Sequence, residues 1–170
     1  HIILTSDIPE TEFLVEVLYG NVYGANNTLV DDTTIQQELI NNTLYADSVV
    51  YRISPQTTPD NSCEGIADTV IVWINPTPSV QVSISKDTIC NNMYTEIILT
   101  SENILTSGEV TFNYTSFADE GITGNESGTN VTNGFIIEDS LHNSTNFPAH
   151  PLVVRYAVTP QALSIACNDG

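Results

Sequence analysis

The chain has 170 residues, of which twenty-one are acidic and three basic, giving a formal charge of −18. Such a balance repels phosphate backbones and anionic lipid heads and leaves almost nothing to neutralise them, which excludes nucleic acid as a natural partner. The longest uninterrupted apolar run, Val70 to Ile74, is far shorter than the roughly twenty residues of a membrane-spanning helix, so the chain does not read as membrane-embedded.

With one lysine and two arginines, surface ion pairs are a minor stabiliser, and burial and backbone pairing must hold the fold. In chain order, segments 2–6, 13–19, 49–54, 69–74, 80–85, 95–100, 109–115, 134–138 and 152–159 are rich in Val, Ile, Thr, Tyr and Phe. Most are bounded by Gly, Asn, Asp, Ser or Pro, and they read as strands. Val80, Val82 and Ile84 alternate with Gln81, Ser83 and Ser85, and Val110, Phe112 and Tyr114 with Thr111, Asn113 and Thr115, both with the period of two that a half-buried strand requires. The best helical candidate, Thr33 to Ile40, is short and lies where a sandwich places a crossover. The fold class is therefore all-β, an antiparallel β-sandwich.

The chain repeats itself. Ile2-Ile3-Leu4-Thr5-Ser6-Asp7 returns as Ile97-Ile98-Leu99-Thr100-Ser101-Glu102, and Tyr51-Arg52-Ile53-Ser54-Pro55-Gln56 as Tyr156-Ala157-Val158-Thr159-Pro160-Gln161. Two anchors in the same order about a hundred residues apart indicate two tandem domains. Pro76 and Pro78, in Asn75-Pro76-Thr77-Pro78-Ser79, make a short, stiff hinge between them, so the domains are 1–77 and 78–170. The offset grows from 95 at the first anchor (2 to 97) to 105 at the second (55 to 160). The ten extra residues of the second repeat are assigned to a loop in the Gly/Asn/Ser-rich stretch from Asp119 to Gly134.

Three cysteines leave one unpaired. Cys90 precedes its anchor by seven residues, and its counterpart in the first repeat would precede residue 1. Within a complete repeat the partners are an early and a late cysteine, Cys90 and Cys167, and Cys63 would pair with a cysteine upstream of His1. Two alternatives stay open: a Cys63–Cys90 bridge between the domains, and plain buried thiols. A Cys90–Cys167 bridge would contribute about 4 kcal/mol by chain entropy and imply an oxidising compartment. By the same alignment, the first repeat lacks its first strand and the second its last, each leaving an open sheet edge.

No catalytic constellation emerges. Asp31-Asp32, Asp119-Glu120 and Glu138-Asp139 are candidate Ca²⁺ ligands, but none stands in a calcium-loop motif, and no cofactor or resident metal is expected. His1, His142 and His150 have no ligand-like spacing to a cysteine, and no nucleophile elbow accompanies them. Tyr51 and Tyr156, each before Ser/Thr-Pro, are expected to fill the core and bond a nearby backbone group through the hydroxyl, as in a tyrosine corner. Arg52 and Arg155 beside them are expected to pair with carboxylates. Trp73 is read as a core or interdomain packing residue, with a sugar-stacking platform as the sharper alternative. The six Asn-x-Ser/Thr sequons, at Asn26, Asn41, Asn113, Asn125, Asn130 and Asn143, are read mostly as a product of composition.

Taken in order, Tyr51 to Cys63, Ile71 to Pro78 and Ile89 to Ser101, with the recurrence at Tyr156 to Cys167, resemble the PKD-like and Ig-like repeats of very large Bacteroidota surface proteins. Asn92 departs from the glycine common there after Ile-Cys-Asn, although asparagine tolerates the left-handed conformation. The resemblance implies a non-enzymatic, extracellular segment of a gliding-motility type adhesin, exported by type IX secretion. Its partners would be neighbouring repeats of the same chain, surface glycans or proteins of the secretion and gliding machinery. It further implies O-glycosylation at Asp-[Ser/Thr]-apolar triplets, here at Ser48, Thr69, Thr88 and Ser140. Two other functions stay open: a glycan- or protein-binding module using loops 117–134 and 140–151, and accessory domains of a secreted hydrolase.

Overall fold

The computed structural model describes residues 2–30, 34–57, 63–145 and 151–163. The chain divides into two compact units, His1–Thr77 and Pro78–Gly170. Both are all-β and antiparallel, with no helix among the described residues.

The first unit contains β1 (Ile2–Ile3), β2 (Thr11–Gly20), β3 (Thr28–Val30), β4 (Thr34–Ile35), β5 (Asp47–Thr57) and β6 (Asp68–Ile74). β3-β2-β5-β6 form one sheet, and β1 pairs with β4. Alternation sends Phe13 and Val15 of β2 and Val49 and Tyr51 of β5 inward. There they meet Leu4 and Ile35 in a buried core flanked by Val70, Val72 and Ile74 of β6.

The second unit contains β7 (Gln81–Ile84), β8 (Met93–Tyr94), β9 (Ile97–Thr100), β10 (Glu109–Ala118), β11 (Ile122–Thr123), β12 (Gly128–Thr132), β13 (Phe135–Ile137), β14 (Ser140–Asn143) and β15 (Val154–Leu163). Its sheets are β12-β10-β15, β13-β9-β7 and β11-β14-β8. Val110, Phe112 and Tyr114 of β10 close with Ile97, Leu99 and Ile137 into the second core.

Strand register shows how the two units correspond. Phe13 stands opposite Pro55 and Val30, as Phe112 does opposite Pro160 and Val131. Ile2 faces Ile35 as Ile97 faces Ile137. β1 to β5 thus match β9, β10, β12, β13 and β15. This register redistributes the extra residues of the second unit. The offset is already 99 at Phe13 and Phe112, reaches 102 at Ile35 and Ile137, and 105 at Pro55 and Pro160. Only three of the ten therefore fall across Asp119–Gly134. That stretch is not a simple loop either, since it supplies β11 and β12.

Thr33–Ile40 is not helical: Thr34–Ile35 form β4, Ile40 bridges Tyr23, and Thr33 lies outside the described residues. Ile35 and Leu39 stand four apart, a spacing that fits both helical and extended periods. Burial resolves it: Ile35, Gln37, Leu39 and Asn41 turn inward and Gln36, Glu38 and Ile40 outward, the alternation of extended chain.

Candidate functional site

The residues that the sequence singles out converge on a polar tie that each unit builds around its tyrosine. In the first unit Tyr51, buried on β5, donates its hydroxyl to Gln37 Oε1 at 2.8 Å. The same oxygen accepts the Asn26 N–H at 3.1 Å, and Gln37 Nε2 donates to the Asn26 carbonyl at 2.7 Å. In the second, Tyr156 on β15 donates to Asp139 Oδ2 at 2.7 Å, and that oxygen accepts the Glu126 N–H at 2.8 Å. Asp139, itself buried, donates its N–H to Thr95 Oγ1 at 2.8 Å, and Thr95 donates its hydroxyl to the Ile137 carbonyl at 2.9 Å. Both tyrosines bond a side chain, where a backbone partner was expected. A tyrosine corner reaches back along its own chain, whereas these hydroxyls reach the inward-facing polar residue two positions beyond Ile35 or Ile137.

Burial pushes the Tyr51 phenol above its usual pKa. Tyr156 is raised much further, by burial first and then by its hydrogen bond to the Asp139 carboxylate and by that carboxylate's charge. Tyr114, whose ring packs 6.0 Å from Phe135 and 6.4 Å from Tyr156, is raised by burial and by the charges of Asp139 and Glu126.

The approach to each tie is set by a glycine. Gly24 (φ +90°) and Gly124 (φ +91°) occupy left-handed backbone, and a Cβ there would collide with the carbonyl oxygens of Glu38 and Ser140. Only glycine combines that φ with so close an approach.

Asn41 is buried and fully engaged. Its Oδ1 accepts the Thr43 N–H and hydroxyl at 2.9 and 2.8 Å, and its Nδ2 donates to the Tyr45 and Ile74 carbonyls at 2.8 and 2.9 Å. Asn143 repeats half of this, its Oδ1 accepting the Thr145 N–H and hydroxyl at 2.9 and 2.6 Å. Sequence reasoning missed this pair, yet the signal is present: Ile35-Gln36-Gln37-Glu38-Leu39-Ile40-Asn41-Asn42-Thr43 aligns with Ile137-Glu138-Asp139-Ser140-Leu141-His142-Asn143-Ser144-Thr145. The sequons at Asn41 and Asn143 thus belong to a turn that the asparagine side chain builds.

The Pro and Gly of the repeated phrase form one contact. The Gly65 N–H donates to the Pro55 carbonyl at 2.8 Å, and a Cβ on Gly65 would stand 2.8 Å from Pro55 Cγ. At the hinge, Pro76 is buried and the Thr77 N–H donates to the Asn41 carbonyl at 3.2 Å. Beyond half-buried Pro78, the Ser79 N–H and hydroxyl both reach Asn103 Oδ1 at 2.7 Å.

Trp73 is not a core residue. It lies 63% exposed on the outward face of β6 beside exposed Ile71, because Val70, Val72 and Ile74 take the inward positions. Of the triplet hydroxyls, Thr69, Thr88 and Ser140 are exposed, whereas Ser48 is buried next to Val49 on β5 and is closed to an enzyme in the folded unit. Arg52 pairs with Glu16 at 2.7 Å and Glu64 at 3.9 Å, and Arg155 with Asp119 at 3.9 Å. Asn92 adopts φ +64°, and its Oδ1 lies 2.8 Å from His142 Nδ1. Cys63 and Cys90 are exposed, which overturns the alternative of plain buried thiols. Cys167, His1, His150 and Asp31-Asp32 lie outside the described residues.

Among the described residues no three His, Cys, Asp or Glu side chains gather as a metal site, and no helix is long and apolar enough to cross a membrane. The second unit contains a cavity of about 490 Å³ lined by Ile84, Ile97, Leu141, Leu152, Val154 and Tyr156, among others. Lys86, Asp87, Thr88, Cys90 and His142 also line it, so its wall is part aliphatic and part polar.

No curated protein and no solved structure matches the chain. A PKD-like domain is a non-catalytic, Ig-like module typical of extracellular proteins, and residues 11–78, from the start of β2 through β6 to Pro78, match the PKD-like domain family.

Proposed function

We propose that this chain is a structural segment of a long extracellular surface adhesin, in which tandem Ig/PKD-like sandwiches act as a stiff spacer in cell-surface adhesion or gliding. The observation that carries this reading is the recurrence of one architecture within the chain, down to the tyrosine tie and the Asn-x-Thr turn, where residues 11–78 match the PKD-like domain. Repetition of one unit suits a protein whose task is to span distance. Export by type IX secretion, modification at Thr69, Thr88 and Ser140, and a Cys90–Cys167 bridge belong to this same proposal, and neighbouring repeats are its first partners.

A binding module is the second reading, favoured by exposed Trp73 and Ile71 side by side on the outward face of β6, since an exposed indole is a natural platform for a sugar ring or an apolar partner. A glycan array probed with the 170-residue chain separates the two. The spacer predicts no saturable binding; saturable binding lost in Trp73→Ala establishes the module and overturns the spacer.

A further inference from the structure

The outward face of the β2-β5-β6 sheet carries a second exposed ring besides Trp73. Val17 stands opposite Tyr51 and Tyr19 opposite Val50, so β2 takes two steps where β5 takes one, and Leu18 is the extra residue of a β-bulge. Strict alternation from Phe13, Val15 and Val17 would send residue 19 into the core. The bulge turns Tyr19 outward instead, and Leu18 and Tyr19 are 56% and 61% exposed. The architecture does not demand this: β10, the counterpart of β2, pairs with β15 from Glu109 to Ala118 without a shift. Bulges commonly re-aim a side chain beside functional sites. Tyr19, Val50 and Ile71 therefore form one row across three strands, with Ser48 and Trp73 in the row on one side and Glu16 and Arg52 in the row on the other. Tyr19 and Trp73 lie two strands and two residues apart, about 12 Å between Cα atoms at the usual strand spacing and rise, close to the length of a disaccharide.

We propose that this face binds a neutral, linear polysaccharide laid diagonally across the strands, with Trp73 and Tyr19 stacking on two sugar rings of one chain. The proposal rests on the binding-module reading and names its ligand. The C–H faces of a pyranose pack on indole and phenol rings, which combine an apolar face with a polar tip. Beside Tyr19, Arg52 is neutralised by Glu16 at 2.7 Å, so this row offers donors and acceptors to sugar hydroxyls without a net charge. The formal charge of −18 opposes an anionic polymer. A protein partner would engage about 20–30 residues a side, whereas the apolar part of this face is Leu18, Tyr19, Val50, Ile71 and Trp73. A row of rings with a polar flank suits a narrow polymer better than a broad protein surface.

Trp73 is the one tryptophan of the chain, so its emission reports the site directly. The test titrates the 170-residue chain with cellohexaose, mannohexaose, xylohexaose and chitohexaose, with the matching disaccharides, and with hexagalacturonate as the anionic probe. Trp73 emission follows the native chain, and isothermal titration calorimetry follows the variants. The expected result is a saturable emission change with a neutral hexasaccharide, affinity weaker by at least roughly tenfold for its disaccharide, and no response to hexagalacturonate. Tyr19→Ala should abolish the preference for the longer chain, and Tyr19→Phe, which keeps the ring, should retain it. Binding that is lost in Trp73→Ala but keeps its length preference in Tyr19→Ala overturns the two-ring site and leaves the binding module standing. Saturable binding of hexagalacturonate overturns the neutral ligand. Absence of saturation with every neutral hexasaccharide overturns the site and the module together. An emission change with protein concentration alone, with a dimer in sedimentation, overturns the proposal and assigns the face to a second copy.

Discussion

Gln37 and Asp139 hold the same place in their units: each accepts a tyrosine hydroxyl, from Tyr51 at 2.8 Å and Tyr156 at 2.7 Å, and a backbone N–H from the strand connection opposite. One acceptor is a neutral amide and the other a buried carboxylate, so the two ties have the same geometry and unequal strengths. A hydrogen bond to a charged group contributes about 1.5–3 kcal/mol, a neutral one about 0.5–1.5. Tyr156→Phe is therefore expected to destabilise the second unit more than Tyr51→Phe destabilises the first. Urea unfolding followed separately for each unit by amide exchange checks the order, and equal losses would show that the carboxylate adds nothing.

The raised phenols set an alkaline limit. Tyr51, Tyr114 and Tyr156 hold their protons more tightly folded than unfolded, so their contribution is complete below about pH 10, the ordinary tyrosine value. It is lost as pH rises from there through the raised folded values, because the unfolded chain releases these protons first. Asp139→Asn keeps an acceptor for Tyr156 but removes the charge, and Tyr156 should then ionise at lower pH than in the native chain. Phenolate absorbance near 295 nm against pH measures this directly, and an unchanged titration contradicts it.

Gly24→Ala and Gly124→Ala each combine a left-handed φ with a collision against a carbonyl oxygen. Each should cost more than the roughly 1 kcal/mol that ordinary backbone strain imposes. Gly134→Ala, at φ +86° with nothing near the added methyl, isolates the strain alone and should cost less. Thermal melts of the three variants test the ranking.

With twenty-one acidic residues and three basic ones, self-repulsion opposes the compact state. Sodium chloride should raise Tm steeply at low concentration, with little further gain near 1 M, where the Debye length is about 3 Å. A Tm independent of salt would show that the charges are too dispersed to matter.

The sequence carried the long strands and several short ones, and hid β8, β11 and β12. β2, β5 and β10 bury alternating side chains and β15 half-buries them, and that alternation is written plainly in Val110, Phe112 and Tyr114. β8 and β11, with two residues each, are too short to show a period, and β12 (Gly-Thr-Asn-Val-Thr) has the composition of a loop. Tyr51 and Tyr156 were legible as structural residues because they recur in a fixed phrase. Their acceptors were not, because Gln37 and Asp139 share no chemistry obvious in a string of letters. They become visible only when the Ile-x-x-x-Leu-x-Asn-x-Thr phrase is aligned, and helical spacing of Ile35 and Leu39 masked it. The core reading of Trp73 fails because β6 is apolar on both faces, and nothing local says which face looks inward.

Pro55 offers a carbonyl to Gly65 but has no N–H, and it stands two residues past the last β5–β6 pair, Ile53 with Asp68. A shift of β6 by one residue would turn Val70, Val72 and Ile74 out to water, and a shift toward Pro55 would meet a ring in place of a donor. The ladder therefore has a stop at one end and Asn41, bound to the Ile74 carbonyl, at the other. Under tension such a strand cannot creep along its neighbour, and the unit yields only by losing its hydrogen bonds in register, all at once or one by one from an end.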